Sequence, residues 1–294
     1  MAENFLKSLR SRVLVCDGAM GTELIRRGLG AGVCPETWNV ERAAEVAAVH
    51  RAYAGAGADI VLTNTFGANR WKLDACGLAD EVGKVNAAAV ALARKAVGRG
   101  VFVAGDIGPT GRFVAPLGPD PRDAFVEVFA EQARALVEAG AEALILETFT
   151  SLNEILAALD AAAGTGVPVI ASMSFQRAAD GSHWTLMGHE AASCAAALDA
   201  AGAAIIGANC GTGPEDYPDI AKTLCRATKR PVLVEPNAGI PRLVAGKTVF
   251  PMTPGQFAKF VRPILKAGAR IVGGCCGTTP EHIRAVRRVV DAAG

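Results

Sequence analysis

The stretch Ala56-Gly57-Ala58-Asp59 leads directly into Ile60-Val61-Leu62-Thr63, and its first four residues recur in variant form as Ala139-Gly140-Ala141-Glu142, Ala201-Gly202-Ala203-Ala204 and Ala267-Gly268-Ala269-Arg270. In each, a glycine suited to the left-handed, helix-terminating conformation closes an alanine-rich stretch, and a strand-like run begins at once. Outward from these junctions, short apolar runs alternate eight times with stretches of helical composition. Strands are expected over 13–16, 59–63, 101–105, 143–147, 167–173, 204–208, 232–235 and 270–273. Helices are expected over 41–56, 79–97, 122–139, 152–163, 189–201, 217–228, 253–267 and 280–293. Continuously apolar strands separated by helices imply a parallel sheet covered on both faces. Eight repeats favour a closed (β/α)8 TIM barrel over an open doubly wound sheet, and 294 residues fit one such barrel as a single domain, 1–294.

Composition narrows the class. Hydrophobic residues make up 51% of the chain, enough for a large core, and 33 glycines point to many tight turns. Thirty Lys and Arg against 29 Asp and Glu leave a net charge of +1, which favours neither nucleic acid nor an anionic membrane as partner. The first residues, Met1-Ala2-Glu3-Asn4-Phe5-Leu6-Lys7, lack the apolar centre of a signal peptide, and Gly, Pro or charged residues break every apolar run before membrane-span length. A cytoplasmic protein with reduced thiols is expected, so the eight cysteines are not a disulfide framework. Cys16, Cys34, Cys76, Cys194 and Cys225 read as ordinary small apolar or partly exposed residues.

The ends of the strands carry the chemistry. They read Asp17-Gly18-Ala19-Met20-Gly21-Thr22, Asn64-Thr65-Phe66-Gly67-Ala68-Asn69, Asp106-Ile107-Gly108-Pro109-Thr110-Gly111, Glu147-Thr148-Phe149-Thr150, Asn209-Cys210-Gly211, Glu235-Pro236-Asn237-Ala238-Gly239 and Gly274-Cys275-Cys276-Gly277. A closed barrel gathers all of them at its C-terminal mouth, where barrel enzymes build their sites. Cys210, after the sixth strand, and the Cys275-Cys276 doublet, after the eighth, then share one rim across a single intervening strand. Consecutive side chains diverge in regular structure, so one metal collects both sulfurs of the doublet only at a sharp turn, which Gly273, Gly274 and Gly277 permit. Three thiolates with a fourth position open describe a zinc site that does chemistry. The competing readings of the doublet are an inert buried pair and a vicinal disulfide. Asp17 and Glu147 read either as site carboxylates or as caps for the helices that follow. The glycines around Gly18 match neither a dinucleotide fingerprint nor a Walker loop. His50, His183, His189 and His282 fall on expected helices or in a loop, away from the cysteines, and no metal or catalytic role is expected of them.

Zinc held by three soft thiolates is a modest Lewis acid, better suited to binding another thiol as a nucleophilic thiolate than to activating water. The implied reaction class is alkyl transfer to sulfur.

These motifs resemble the homocysteine S-methyltransferase family. The likeness runs nearly end to end, from Asp17-Gly18-Ala19-Met20-Gly21-Thr22 through Thr63-Asn64-Thr65-Phe66-Gly67, Gly105-Asp106-Ile107-Gly108-Pro109 and Asn209-Cys210 to Gly273-Gly274-Cys275-Cys276-Gly277-Thr278-Thr279-Pro280. The resemblance implies a barrel in which Cys210, Cys275 and Cys276 hold zinc and act, through it, on the sulfur of homocysteine to form methionine. It also implies that Asp17, the backbone of Gly18 and Ala19, and Glu147 grip the amino and carboxylate end of the amino acid, with Asn209 among the substrate-binding residues. A carboxylate can accept from an ammonium group and glycine-rich backbone can donate to a carboxylate, in keeping with those roles. Glu235-Pro236-Asn237-Ala238-Gly239-Ile240-Pro241 and Cys276-Gly277-Thr278-Thr279-Pro280-Glu281-His282-Ile283 look more like the N-terminal module of cobalamin-dependent methionine synthase than like the betaine or S-methylmethionine enzymes. Up to Gly294 there is no folate barrel, cobalamin-binding domain or reactivation domain, so the expected donor is methylcobalamin or a similar methyl-corrinoid supplied in trans by a separate protein. The alternatives are S-methylmethionine, S-adenosylmethionine or betaine as donor, and another small thiol or thioether as acceptor. An alternative of another class is a non-catalytic barrel subunit that docks to a corrinoid or folate protein. The stretch Cys34-Pro35-Glu36-Thr37-Trp38-Asn39 departs from the phrases of the best-known members and reads as a candidate donor or partner surface.

Overall fold

A computed structural model describes residues 2–244 and 246–293 and contains all eight expected barrel strands. They are β1 (Leu14–Val15), β2 (Ile60–Leu62), β3 (Phe102–Ile107), β4 (Ala143–Phe149), β5 (Val169–Met173), β6 (Ile205–Asn209), β7 (Val232–Glu235) and β8 (Ile271–Val272). All seven ladders are parallel and run in the order β1-β8-β7-β6-β5-β4-β3-β2. The ring closes between β1 and β2 through the parallel bridge of Cys16 with Ile60 and through Asp59 N–H donating to Val15 O at 2.7 Å. This is a (β/α)8 barrel.

The eight expected helices appear as Ala43–Gly55, Val82–Val97, Arg122–Glu138, Leu152–Ala163, Ala191–Ala200, Tyr217–Ala227, Pro254–Ala267 and Pro280–Asp291. The four junction glycines, Gly57, Gly140, Gly202 and Gly268, all adopt positive φ, between +91° and +112°, as a helix-to-strand reversal requires. Residues 79–81 form a 3-10 turn before the second helix rather than part of it, and the helix expected from 189 starts at Ala191 because Glu190 bridges back to Trp184. Two hairpins lie in the loops after β5 and β7: Gln176–Arg177 with His183–Trp184, and Arg242–Val244 with Lys247–Val249. His183 is therefore in a short strand. Additional helices cover Ala2–Ser11, Met20–Arg26, Trp38–Glu41 and Arg70–Asp74.

The strands obey a two-residue alternation that separates two cores. Residues facing outward, such as Val15, Val61, Val103, Leu144, Ile206, Val234 and Val272, pack under the helices. Those facing inward, Leu14, Cys16, Ile60, Ala104, Ala143, Ile145, Ile170, Ile205, Leu233 and Ile271, fill the barrel. Phe5 and Leu9, one turn apart on the N-terminal helix, join this inner cluster and close its lower end. Phe5 meets Phe102 edge-on at 5.1 Å, and the Arg270 guanidinium donates to Leu9 O at 2.6 Å. Among the described residues no helix is long and apolar enough to cross a membrane.

Candidate metal centre

Carried one step up four of the strands, the inward alternation passes from apolar to polar. Asp106 stands two residues beyond Ala104, Glu147 beyond Ile145, Ser172 beyond Ile170 and Glu235 beyond Leu233. Asp106, Glu147 and Glu235, with Asp17, form the base of a cavity of about 250 Å³ at the C-terminal mouth. Cys210, Cys275 and Cys276 stand on its rim, with their three sulfurs within 4.8 Å of one another.

The backbone explains why these sulfurs meet. Cys210 turns out of β6 at φ +60°, held by its N–H to Glu235 O at 3.1 Å and by Tyr217 Oη donating to Cys210 O at 2.8 Å. Cys275 N–H donates to Pro236 O at 2.8 Å and Cys276 O accepts from Ala238 N–H at 2.9 Å, which laces the doublet to the loop after β7. The three glycines of the doublet turn divide the work differently from the sequence expectation. Only Gly277 uses positive φ, at +81°. Gly273 and Gly274 serve close approach, since a Cβ there would come within 2.8 Å of Cys16 and 2.6 Å of Thr278.

All eight cysteines are free thiols. The Cys275 and Cys276 thiols donate to Cys210 and pull its pKa down to about 3. Giving those hydrogen bonds pushes Cys276 up to about 12 and Cys275 well above its usual value. The trio behaves as one proton-sharing cluster, and a dication can displace the shared protons. Tetrahedral zinc, with Zn–S bonds of about 2.3 Å, fits three sulfurs this close. Asn237 adds a buried side-chain oxygen without a hydrogen-bond partner, while its side chain reaches Cys210.

The carboxyls beneath the rim are shielded from water. Burial raises Asp17, Asp106 and Glu235 well above the carboxylate range, and the charge of Glu147 adds to each. Burial, and then the Cys210 thiolate, raises Glu147 to about 7. Neither Asp17 nor Glu147 caps a helix. Asp17 Oδ2 accepts from Leu62 N–H at 3.0 Å, and the cap after β4 is Ser151, whose hydroxyl accepts from Glu154 N–H. Glu147 Oε2 accepts from Asn209 Nδ2 at 2.6 Å. Gly18 and Ala19 line the cavity, and Ala19 N–H donates to Thr278 Oγ1 at 3.1 Å.

This set of strand-end motifs carries a family signature: the sequence profile of homocysteine S-methyltransferases matches residues 14–290. The chain belongs to the homocysteine S-methyltransferase family. It is 34% identical over 306 aligned positions to methionine synthase of Mycobacterium tuberculosis and 33% identical to that of Mycobacterium leprae, covering 98% of this chain and 25% of either relative. The chain thus spans about a quarter of the length of these relatives. Among solved structures, the homocysteine methyltransferase MmuM from Escherichia coli, in its metallated form, matches with a TM-score of 0.78 and 28% identity over 94% of this chain and 96% of that one.

In this family member the structure brings Cys210, Cys275, Cys276, Asp17, Gly18, Ala19 and Glu147 to one cavity, with Asn209 packed against Glu147. Asp106 and Glu235 belong to the same cavity and were not singled out from sequence; counting inward positions by twos from Ala104 and Leu233 finds both. The stretch 34–39 is a wall of the site. Pro35 and Glu36 line the cavity, Glu36 Oε1 accepts from Gly67 N–H at 2.6 Å, and Asn39 donates to Asn64 O at 2.8 Å. No histidine lines the cavity. His282 instead completes the capping box of the last helix with Thr279.

Proposed function

We propose that this barrel is a zinc-dependent S-methyltransferase that methylates homocysteine to give methionine. The observation that carries this reading is the set of three sulfurs within 4.8 Å on the rim of a cavity floored by buried carboxyls. Cys210, Cys275 and Cys276 would hold zinc, whose chemistry is to bind the acceptor thiol as a thiolate that stays nucleophilic at neutral pH. The chain's own groups orient the rest of the acceptor. Glu147, balanced near neutrality at about 7, gives up its proton when an ammonium group arrives and accepts its hydrogen bonds. Asp17 supports it from β1. The backbone at Gly18 and Ala19, backed by Thr278, offers donors to the substrate carboxylate. Pro35, Leu62 and Phe66 line the cavity and exclude water from the reacting sulfur.

The donor that fits best is a methylated corrinoid held outside this barrel. A cavity of about 250 Å³ suits an amino acid and is far too small to enclose a corrin ring. Cys210, Cys275 and Cys276 are each partly exposed, so the acceptor sulfur is reachable across the mouth. The identity with methionine synthases, 34%, exceeds the 28% shared with MmuM. In-line transfer then needs the methyl carbon roughly 3–3.5 Å from the acceptor sulfur, with the barrel supplying only orientation.

The test is calorimetric titration of homocysteine into zinc-loaded and zinc-stripped protein. We expect about one zinc per chain, as a single three-thiolate site requires, and binding that depends on it. Zinc-loaded protein that ignores homocysteine would leave a non-catalytic docking subunit as the function.

A further inference from the structure

Asn209 ends β6 and is fully buried, and its side chain is engaged on every side. Nδ2 donates to Glu147 Oε2 at 2.6 Å and to Thr148 Oγ1 at 2.7 Å, and it lies 3.8 Å from Cys275 Sγ. Oδ1 accepts from Thr148 N–H at 2.9 Å and from Ser172 Oγ at 2.7 Å. A backbone N–H can only donate, so Thr148 fixes which way the amide faces. The backbone around it is strained. Among the described residues only two non-glycine residues adopt positive φ, Thr148 at +62° and Cys210 at +60°. One follows Glu147 in sequence and the other follows Asn209. A β-branched residue at positive φ is an outlier that persists only where its surroundings hold it, and here both Thr148 groups bonded to Asn209 do the holding.

We infer that Asn209 is a positioning residue that couples the carboxylate gripping the amino acid to the thiolate cluster. One amide sets the direction of Glu147, locks the Thr148 turn and holds its NH2 group, whose two hydrogens go to the Glu147 and Thr148 oxygens, 3.8 Å from Cys275 Sγ. Its polar atoms are committed within the protein, so it acts through Glu147 and Cys275 in place of the direct substrate contact expected from sequence. The inference rests on the methyltransferase reading above.

The test uses the full chain loaded with cobalt(II) in place of zinc, in wild type and in Asn209→Ala, Asn209→Asp and Ser172→Ala. Two quantities are read: the thiolate-to-cobalt absorption without any amino acid, and the calorimetric affinities for homocysteine and for its amine-free analogue 4-sulfanylbutanoate. Asn209→Ala should keep one metal per chain, shift the cobalt spectrum, and weaken homocysteine about tenfold more than the analogue, the scale of one hydrogen bond to a charged group. Asn209→Asp sets a carboxylate against Glu147 and should lose more. Ser172→Ala leaves Asn209 in place but removes one of its tethers. It should move both readouts the same way by less, and it carries the test if the Asn209 variants do not fold. An unshifted cobalt spectrum, or equal losses for the two ligands, overturns the coupling. Failure of wild-type protein to bind homocysteine would instead overturn the methyltransferase reading.

Discussion

Glu147 shows how burial and a neighbouring thiolate hold a carboxylate near neutrality. It faces inward two residues beyond Ile145, where burial raises it to about 7. Below pH 7 it carries a proton and meets an ammonium group without charge, so homocysteine affinity should rise as pH increases through 7. In Glu147→Gln that rise should shrink to the share contributed by the acceptor thiol, which gives up its proton on binding as a thiolate, and calorimetry at pH 6 and pH 8 would show it. Glu147→Ala should weaken homocysteine binding by about 1.5–3 kcal/mol, the range for a hydrogen bond to a charged group, with zinc content unchanged. Wild-type affinity in that variant would remove Glu147 from the substrate site. Cys210→Ala, Cys275→Ala and Cys276→Ala should each lose zinc by elemental analysis, whereas Cys76→Ala and Cys225→Ala should keep it. The thiolates were legible from sequence because barrel closure brings strand ends together whatever their separation along the chain. Asp106 and Glu235 required the inward register as well, which a list of strand ends does not contain. The Thr148 turn and the bonds of Asn209 were illegible, because no local pattern announces a non-glycine residue at positive φ.

The long elements were readable for a simple reason: four of the eight helices end in a glycine that reverses the chain, and the next strand begins there. The N-terminal helix and the two hairpins have no such punctuation. Ala2–Ser11 precedes the first repeat, and strands of two or three residues are too short to show alternation. That helix nevertheless matters, because Phe5 is fully buried against Phe102 at the lower end of the barrel. Phe5→Ala should cost about 3–5 kcal/mol of stability in urea unfolding, as for other large-to-small core changes. Zinc content at the opposite end should be unaffected. The doublet turn should respond the other way. Gly274→Ala places a Cβ 2.6 Å from Thr278, the residue whose hydroxyl donates to Cys275 O. We expect it to lower zinc affinity with little change in the urea midpoint, and a full zinc complement would show that the turn can give way.

At the scale of the whole molecule, chemistry and stability occupy opposite ends of one barrel, with an apolar interior between them. The donor assignment belongs to this scale, since it depends on what can approach the mouth. Zinc-loaded protein should turn over homocysteine slowly with free methylcobalamin and faster with a cognate corrinoid protein. Efficient turnover with S-methylmethionine or betaine, and none above background with methylcobalamin, would replace the corrinoid with a small donor. The floor formed by Phe5 and Leu9 has a kinetic corollary. A blind-ended barrel has one doorway, so a donor as broad as a corrinoid blocks the route by which acceptor enters and product leaves. If the donor is a corrinoid, the expected addition is compulsory-ordered, homocysteine first, with methionine released only after the spent donor steps away. Raising the donor concentration while homocysteine is scarce should slow the reaction, because a donor that arrives early seals an acceptor-free barrel.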